Sequence, residues 1–459
     1  MATPHRANPS CLLLVLVACL LHHLVAAESL PDEAKLLLQM KHAWGDPPAL
    51  AAWSANASTP GAHCRWPYVG CDSAGRVTKL ALVNINITGA ISDAAGNLSS
   101  LTHFDVFNNS IIGVFPTALY RCRSLRYLNL SKNYISGKLP DDIGHGLGAN
   151  LSILSLSSNN FNGAIPASLS RLQKLQYLAL GWNHHSGSIP ESLSKLQNLR
   201  SLKLQWNNLT GAIPAELGEL ISLQKLWLVN NPFDAGELPT SFEKLTNLVS
   251  LGLAYCNLSG DFPSYLVKMS ELEVLFLARN SFTGTIHPGI WGLKKLRTLI
   301  LSENKLTGDV MVDGFAVMSL RTIILSDNKL TGMIPEVFGS LRNLTFLCLS
   351  SNNFSGEIPV SIGRLPSLMS LSLSNNKLMG ILPPQLGKYS LGLYEVYVAN
   401  NNLTGPIPEG LCIGGQLQHL NASSNSLNGS IPVGFARCHT LQYLDLHSNQ
   451  LTGYIPIRV

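Results

Sequence analysis

Leucines recur along this chain in a fixed figure. Leu125, Leu128 and Leu130 form L-x-x-L-x-L, then come Asn133, Ile135, Gly137 and Pro140, in LRYLNLSKNYISGKLP. The figure returns as LSILSLSSNNFNGAIP, LQYLALGWNHHSGSIP, LRSLKLQWNNLTGAIP and LTFLCLSSNNFSGEIP, at steps of 24 residues with a few of 25 or 26. An asparagine marks the beat from Asn109 to Asn449; Cys256 fills its slot once and Ile85 fills it in the first, degenerate copy, which makes sixteen copies. Alternating leucines predict a short strand with one buried face. The asparagine then turns the chain off the strand, and its amide can satisfy backbone groups left open at the bend. The glycine permits a bend that a side chain would obstruct. The proline removes a donor and stiffens the return path.

A strand this short cannot bury its face alone, so the copies must stack. The pattern resembles the leucine-rich-repeat signature of the plant type, with L-T/S-G-x-I-P after the asparagine. It predicts an α/β solenoid with a curved parallel sheet on the concave face, strands about 4.8 Å apart. Short 3₁₀ or helical turns, as from Ala167 to Leu172, should run along the convex side.

A chain of 459 residues would otherwise suggest two or three domains. The repeat predicts instead a signal peptide over 1–27, an N-terminal cap over 28–74, and about sixteen repeats over 75–459 with no C-terminal cap. His5 and Arg6 precede the apolar run from Cys11 to Leu21, and Val25-Ala26-Ala27 offers small residues for cleavage. That run is too short for a confident membrane span, and no later stretch is long and apolar enough. The expected location is outside the cell, or at the plasma membrane if a longer receptor form exists. Charged residues are 13% of the chain and the net charge is +5 with no basic block, which argues against nucleic acid as a partner.

Secretion sets how cysteine and asparagine are read. Cys64 and Cys71, in CRWPYVGC, are a disulfide candidate that would staple the cap. Cys412 and Cys438 lie about one coil apart and can approach to disulfide distance. Cys256, at a ladder position, reads as a small apolar residue; Cys122 and Cys348 have no evident partner. Thirteen N-x-S/T sequons follow the signal segment, among them Asn56, Asn86, Asn97, Asn208, Asn257, Asn343, Asn353 and Asn402.

The stretch from Asp32 to Cys71, DEAKLLLQMKHAWGDPPALAAWSANASTPGAHCRWPYVGC, resembles the N-terminal cap of plant leucine-rich-repeat receptors. The repeats resemble the ectodomains of plant receptor kinases, most of all the HAESA-like group, whose paired-cysteine segment is similar to Glu409–Leu441. The resemblance implies recognition of a secreted peptide or protein, with a co-receptor of the same repeat class as a possible second partner. Two departures stand against it. The sequence holds no kinase elements, neither a glycine-rich phosphate loop nor H-R-D or D-F-G, so no enzymatic activity is expected. The R-x-R pair with which the subgroup holds a peptide carboxylate is missing from the late repeats; Arg121-Cys122-Arg123 is the sole R-x-R and precedes a strand.

Residues between and just after the leucines point out of the concave sheet, so they read as columns. The column before the ladder asparagine carries Trp182, Trp206, Tyr255, Arg279, Glu303 and Asp327; the column between the paired leucines carries Lys203, Trp227 and Phe276. Together with Lys225 these predict one aromatic patch with basic neighbours and an acidic edge at Glu303 and Asp327. Exposed aromatics mark interaction sites, and Trp, Tyr and Arg dominate binding hot spots. Mutual packing across repeats is the competing explanation. No metal-ligand spacing, nucleophile elbow or carboxylate pair stands out, no cofactor is expected, and His184-His185 reads as a surface loop. Two functions remain: a ligand-binding receptor ectodomain, or a secreted inhibitor of a microbial wall-degrading enzyme like the polygalacturonase-inhibiting proteins. The missing C-terminal cap favours the former and predicts fraying or association at that end, where Leu441, Leu444, Leu446 and Leu451 face outward.

Overall fold

The structure, a computed structural model, describes residues 33–54, 61–312 and 319–456. The proposed signal segment and Asn56 lie outside them. One sheet of 17 strands runs through the whole solenoid. It opens with Val69–Cys71 antiparallel to Val77–Ala81. Every later pairing is parallel and in strict register, so that Leu178, Leu202 and Leu226 stack as neighbours and are fully buried. The step of 25 residues between Lys225 and Ser250 leaves this register intact, because the extra residue is taken up outside the strands.

The ladder asparagines behave as their chemistry requires. Asn183 Nδ2 donates to the carbonyls of Leu156, Leu180 and Gly181 at 3.0, 3.0 and 3.3 Å, while its Oδ1 accepts from Phe161 N–H at 3.0 Å. One buried side chain thus satisfies four backbone groups on two coils, which would otherwise cost about 1–3 kcal/mol each. Cys256 is fully buried in the core, and its Sγ also donates weakly to the carbonyls of Leu228 and Ala254 at 3.3 and 3.4 Å. It offers no amide oxygen, and Phe233 N–H, the counterpart of the Phe161 donor, bonds Asn231 O at 2.9 Å within its own widened loop.

Past most of the asparagines the chain makes a second set of short parallel strands, which sequence reading did not anticipate. Ser136–Lys138, Asn160–Gly163, His184–Gly187 and Asn208–Leu209 form one such sheet on the flank. His184 and His185 therefore lie on a strand rather than a loop. His184 is exposed, but His185 takes the core slot held elsewhere by Ile135, Phe161 and Leu209 and is fully buried. Gly163 closes its strand at φ 72°, a left-handed conformation that disfavours other residues. Pro166, Pro190 and Pro214 then lead into the 3₁₀ turns Ala167–Arg171, Glu191–Lys195 and Ala215–Glu219 on the convex side.

The cap plugs the first coil. Helix Glu33–Ala43 buries Leu36, Leu37 and Met40. Trp53 stacks on Trp66 with centroids 5.7 Å apart and donates Nε1–H to Pro67 O at 2.9 Å. A disulfide joins Cys64 to Cys71 with Cα atoms 5.6 Å apart, and a second joins Cys412 to Cys438 at 5.5 Å. Cys122 and Cys256 are buried free thiols, and Cys348 is half-buried. In the last described coil Leu444 is 42% exposed, whereas Leu420 one coil earlier is fully buried. Among the described residues no helix is long and apolar enough to cross a membrane.

Candidate functional site: the concave face

Each coil places the residue before its ladder position in the left-handed region, from φ 53° at Asn400 to 58° at Trp182. This kink lifts the side chain off the sheet. Trp182 and Trp206 project from two successive coils and stack, centroids 4.4 Å apart and planes 10° off parallel. They remain 49% and 42% exposed. Mutual packing and exposure therefore hold together: the pair presents one broad aromatic face to solvent. Three coils beyond Trp206, Arg279 lays its guanidinium 4.7 Å from the ring centroid of Tyr255 on the coil before it and pairs through Nε with Glu303. Glu303 is thus tied into this cation–π network, and Asp327 alone of the expected acidic edge is left without a basic partner among the described residues.

Trp227 and Phe276 lie closer to the sheet, half-buried. Trp227 donates Nε1–H to Ser250 Oγ at 2.8 Å and lies over Gly252, where a Cβ would come within 3.2 Å of the indole. Beneath them is a small apolar cluster of Val229, Ala254 and Ala278, bordered by Trp227, Phe276 and Ile300. This floor was missed in the sequence. Its signal was available: the position after the last leucine is serine at Ser131, Ser302, Ser326 and Ser350, but Val229, Ala254 and Ala278 on three successive coils. The two aromatic groups are coupled through the backbone, since Trp206 N–H donates to Val229 O at 2.7 Å.

The basic neighbours separate. Lys203 Nζ donates to Tyr177 Oη at 3.0 Å and sits over that ring at 5.0 Å. Lys225 is half-buried; desolvation, and then the charge of Lys203, hold its ammonium below the usual range. Arg121 is placed on the 3₁₀ turn Thr117–Arg121 and donates to Asp93 O, so the R-x-R pair does not reach the concave face. The late coils carry instead a ring series, Tyr397, His419 and Tyr443, with centroids 6.4 and 6.5 Å apart. Among the described residues one cluster has metal-ligand spacing, His63 with Cys64 and Cys71, and the disulfide consumes both of its thiols.

The sequon asparagines fall on two surfaces. Asn86, Asn208, Asn257 and Asn402 are exposed on the flank and Asn353 is half-buried there, while Asn97 and Asn343 are exposed elsewhere on the surface. On the concave face, Asn129 and Asn421 each accept a backbone N–H two residues on, from Ser131 and Ser423.

Comparison with known proteins accounts for the repeat. The family description Leucine rich repeat matches residues 75–135, 246–306 and 318–378, and a second repeat family matches six further coils between 150 and 458. The Leucine rich repeat N-terminal domain matches 30–72. The chain is a leucine-rich-repeat protein. Its curated relatives include plant receptor kinases. MDIS1-interacting receptor like kinase 1 of Arabidopsis thaliana is 38% identical over 146 residues, 32% of this chain and 14% of that protein. The chain thus matches only a small part of such relatives' length. Among solved structures, a TDR receptor is 35% identical with a TM-score of 0.77, covering 82% of this chain and 65% of that one. The Arabidopsis receptor kinase HAESA, solved with the peptide hormone IDA and the co-receptor SERK1, is 29% identical with a TM-score of 0.63, covering 93% and 83%. This leucine-rich-repeat chain therefore resembles the ectodomains of plant receptor kinases.

Proposed function

We propose that this chain is the extracellular, ligand-reading part of a plant cell-surface receptor, and that it holds an extended peptide along the concave strip from Trp182 to Phe276. The observation that carries the reading is the exposed Trp182–Trp206 stack, the two indoles 49% and 42% exposed, beside the half-buried Trp227 and Phe276. Flat aromatic surfaces of this kind release much hydration on contact and cost little side-chain entropy. An open curved sheet suits an extended chain rather than an enclosed small molecule. The likeness to HAESA, solved with a peptide hormone, supports the same reading, and a co-receptor of the same repeat class is the second partner it implies. Secretion and glycosylation of the flank belong to this proposal.

The test is selection of displayed random dodecapeptides on the secreted protein and on a Trp206→Ala/Trp227→Ala variant. Both side chains lie outside the leucine core, so the variant should fold. The expected result is enrichment of sequences on the parent chain that lose about 2 kcal/mol or more on the variant. Failure to enrich any peptide, or equal affinity for both proteins, refutes the reading.

A further inference from the structure

Beside the aromatic strip lies a groove of ≈ 430 Å³, lined by Tyr177, Arg200, Ser201, Lys203, Gln224 and Lys225. Register sets Tyr177, Ser201 and Lys225 side by side on three adjacent strands. Three cations meet here, and among the described residues none of them pairs with a carboxylate. Four cations elsewhere are neutralised from the preceding coil: Lys244 by Glu219, Lys268 by Glu243, Lys295 by Glu271 and Arg297 by Glu273. Ser201 Oγ is buried without a hydrogen-bond partner. Burial and the neighbouring Lys203 charge already disfavour the ammonium of Lys225. An anion placed between Lys203 and Lys225 would remove that penalty and could accept from Ser201 as well.

From the coil of Lys225 onward the surface changes character. Val229, Ala254 and Ala278 give an apolar floor with Trp227 and Phe276 beside it. The basic groove spans the coils of Tyr177, Lys203 and Lys225 and is centred on that of Lys203, and the floor spans those of Val229, Ala254 and Ala278 and is centred on that of Ala254. Two coils at about 4.8 Å each amount to about 10 Å, close to one three-residue turn of an extended polyproline-II chain at about 3.1 Å per residue, which returns a side chain to the same face.

We propose that the ligand carries an acidic side chain over the Arg200–Lys203–Lys225 groove and an apolar side chain, about three residues away, over the Ala254–Ala278 floor. The inference rests on the peptide-binding reading above and specifies its ligand class. A uniformly charged polymer does not fit, because half of the site would desolvate its charges against alanine and valine.

The experiment takes the tightest selected dodecapeptide and two derivatives: one with its acid changed to the amide, one with the apolar residue three positions away changed to serine. Calorimetry at physiological salt measures each on the parent chain and on Lys203→Gln/Lys225→Gln, whose melting curve reports that it folds. The expected outcome is a loss of at least about tenfold for each derivative on the parent chain. On the glutamine variant the acid and amide peptides should bind alike, while the serine derivative stays weak. Selected peptides that lack an acid, or an amide derivative equally weakened on both proteins, overturn the inference and leave peptide binding standing. Polyglutamate binding as tightly as the selected peptide also overturns it. If no peptide is selected at all, the peptide reading falls and this inference with it.

Discussion

His185 should make the fifth coil acid-labile. Its ring fills a slot that takes leucine, isoleucine or phenylalanine in neighbouring coils and is fully buried. Nδ1 lies 3.3 Å from Gly163 O, and Nε2 is buried without a partner. Burial is the main cause that drives its pKa from 6.5 down to about 4, opposed by the Gly163 carbonyl and aided by the charge of His184. In the unfolded chain the imidazole takes its proton near 6.5; in the folded chain only near 4. Between those values the unfolded state binds more protons, so stability falls as pH falls. The loss is about 2 kcal/mol by about pH 5 and about 3 kcal/mol well below pH 4. His185→Leu restores the usual residue of the slot. It should leave neutral stability equal or raised by up to about 1 kcal/mol, since it removes an unsatisfied nitrogen, and should abolish this part of the pH dependence. A solenoid opens locally, so the fitting assay is amide hydrogen exchange, corrected for intrinsic rates, at Phe161, His185 and Leu209 from neutral pH down to about pH 5. Parent and variant chains with the same pH slope at these amides would refute the reasoning.

Three further outcomes follow from the geometry. Cys256→Asn, although it restores the ladder consensus, should destabilise by about 1–3 kcal/mol, because Phe233 N–H is already bonded and the new amide oxygen would be buried without a donor; Cys256→Ala should cost less, and chemical denaturation ranks the two. Asn207→Ala should cost at least about 2 kcal/mol, since it strands the carbonyls of Leu180 and Leu204 and the His185 amide; a melting curve measures it. Glycopeptide mass spectrometry of the secreted protein should find sugar at Asn208, Asn257, Asn353 and Asn402 on the flank, and full occupancy at Asn129 would shorten the concave surface left for a ligand.

The strands and their register were readable because one period fixes both: a leucine at every second position and an asparagine every 24 residues admit a single stacking. The Cys412–Cys438 pair was readable for the same reason, as positions one coil step apart, and the Cys64–Cys71 pair because the two lie close in sequence in a chain read as secreted. What escaped was whatever the period does not encode. The flank strands are two to five residues long, and their pairing comes from stacking rather than alternation. His185 was misplaced because it was read by its own polarity instead of by its slot. The aromatics of the concave columns were legible residue by residue, yet their partners were not. The stacking of Trp182 on Trp206, the capture of Glu303 by Arg279 and the floor of Val229, Ala254 and Ala278 depend on which columns come to lie beside each other across coils.

The left-handed residue before each ladder position has a wider consequence. At nearly the same φ the coils carry Asn108, Lys132, Ser158, Trp182, Tyr255, Arg279 and Glu303. The kink is imposed by the ladder and the strand pairing on either side, so the scaffold accepts a cation, an anion, an amide or an indole there alike, although side-chain-bearing residues disfavour this region. Shape and vocabulary are thereby separated in this molecule: the leucines and asparagines write the form, and this column writes the message. Exchanging Trp182 and Trp206 for the serine and asparagine found in other coils should rewrite what the surface says while the solenoid that displays it stays the same.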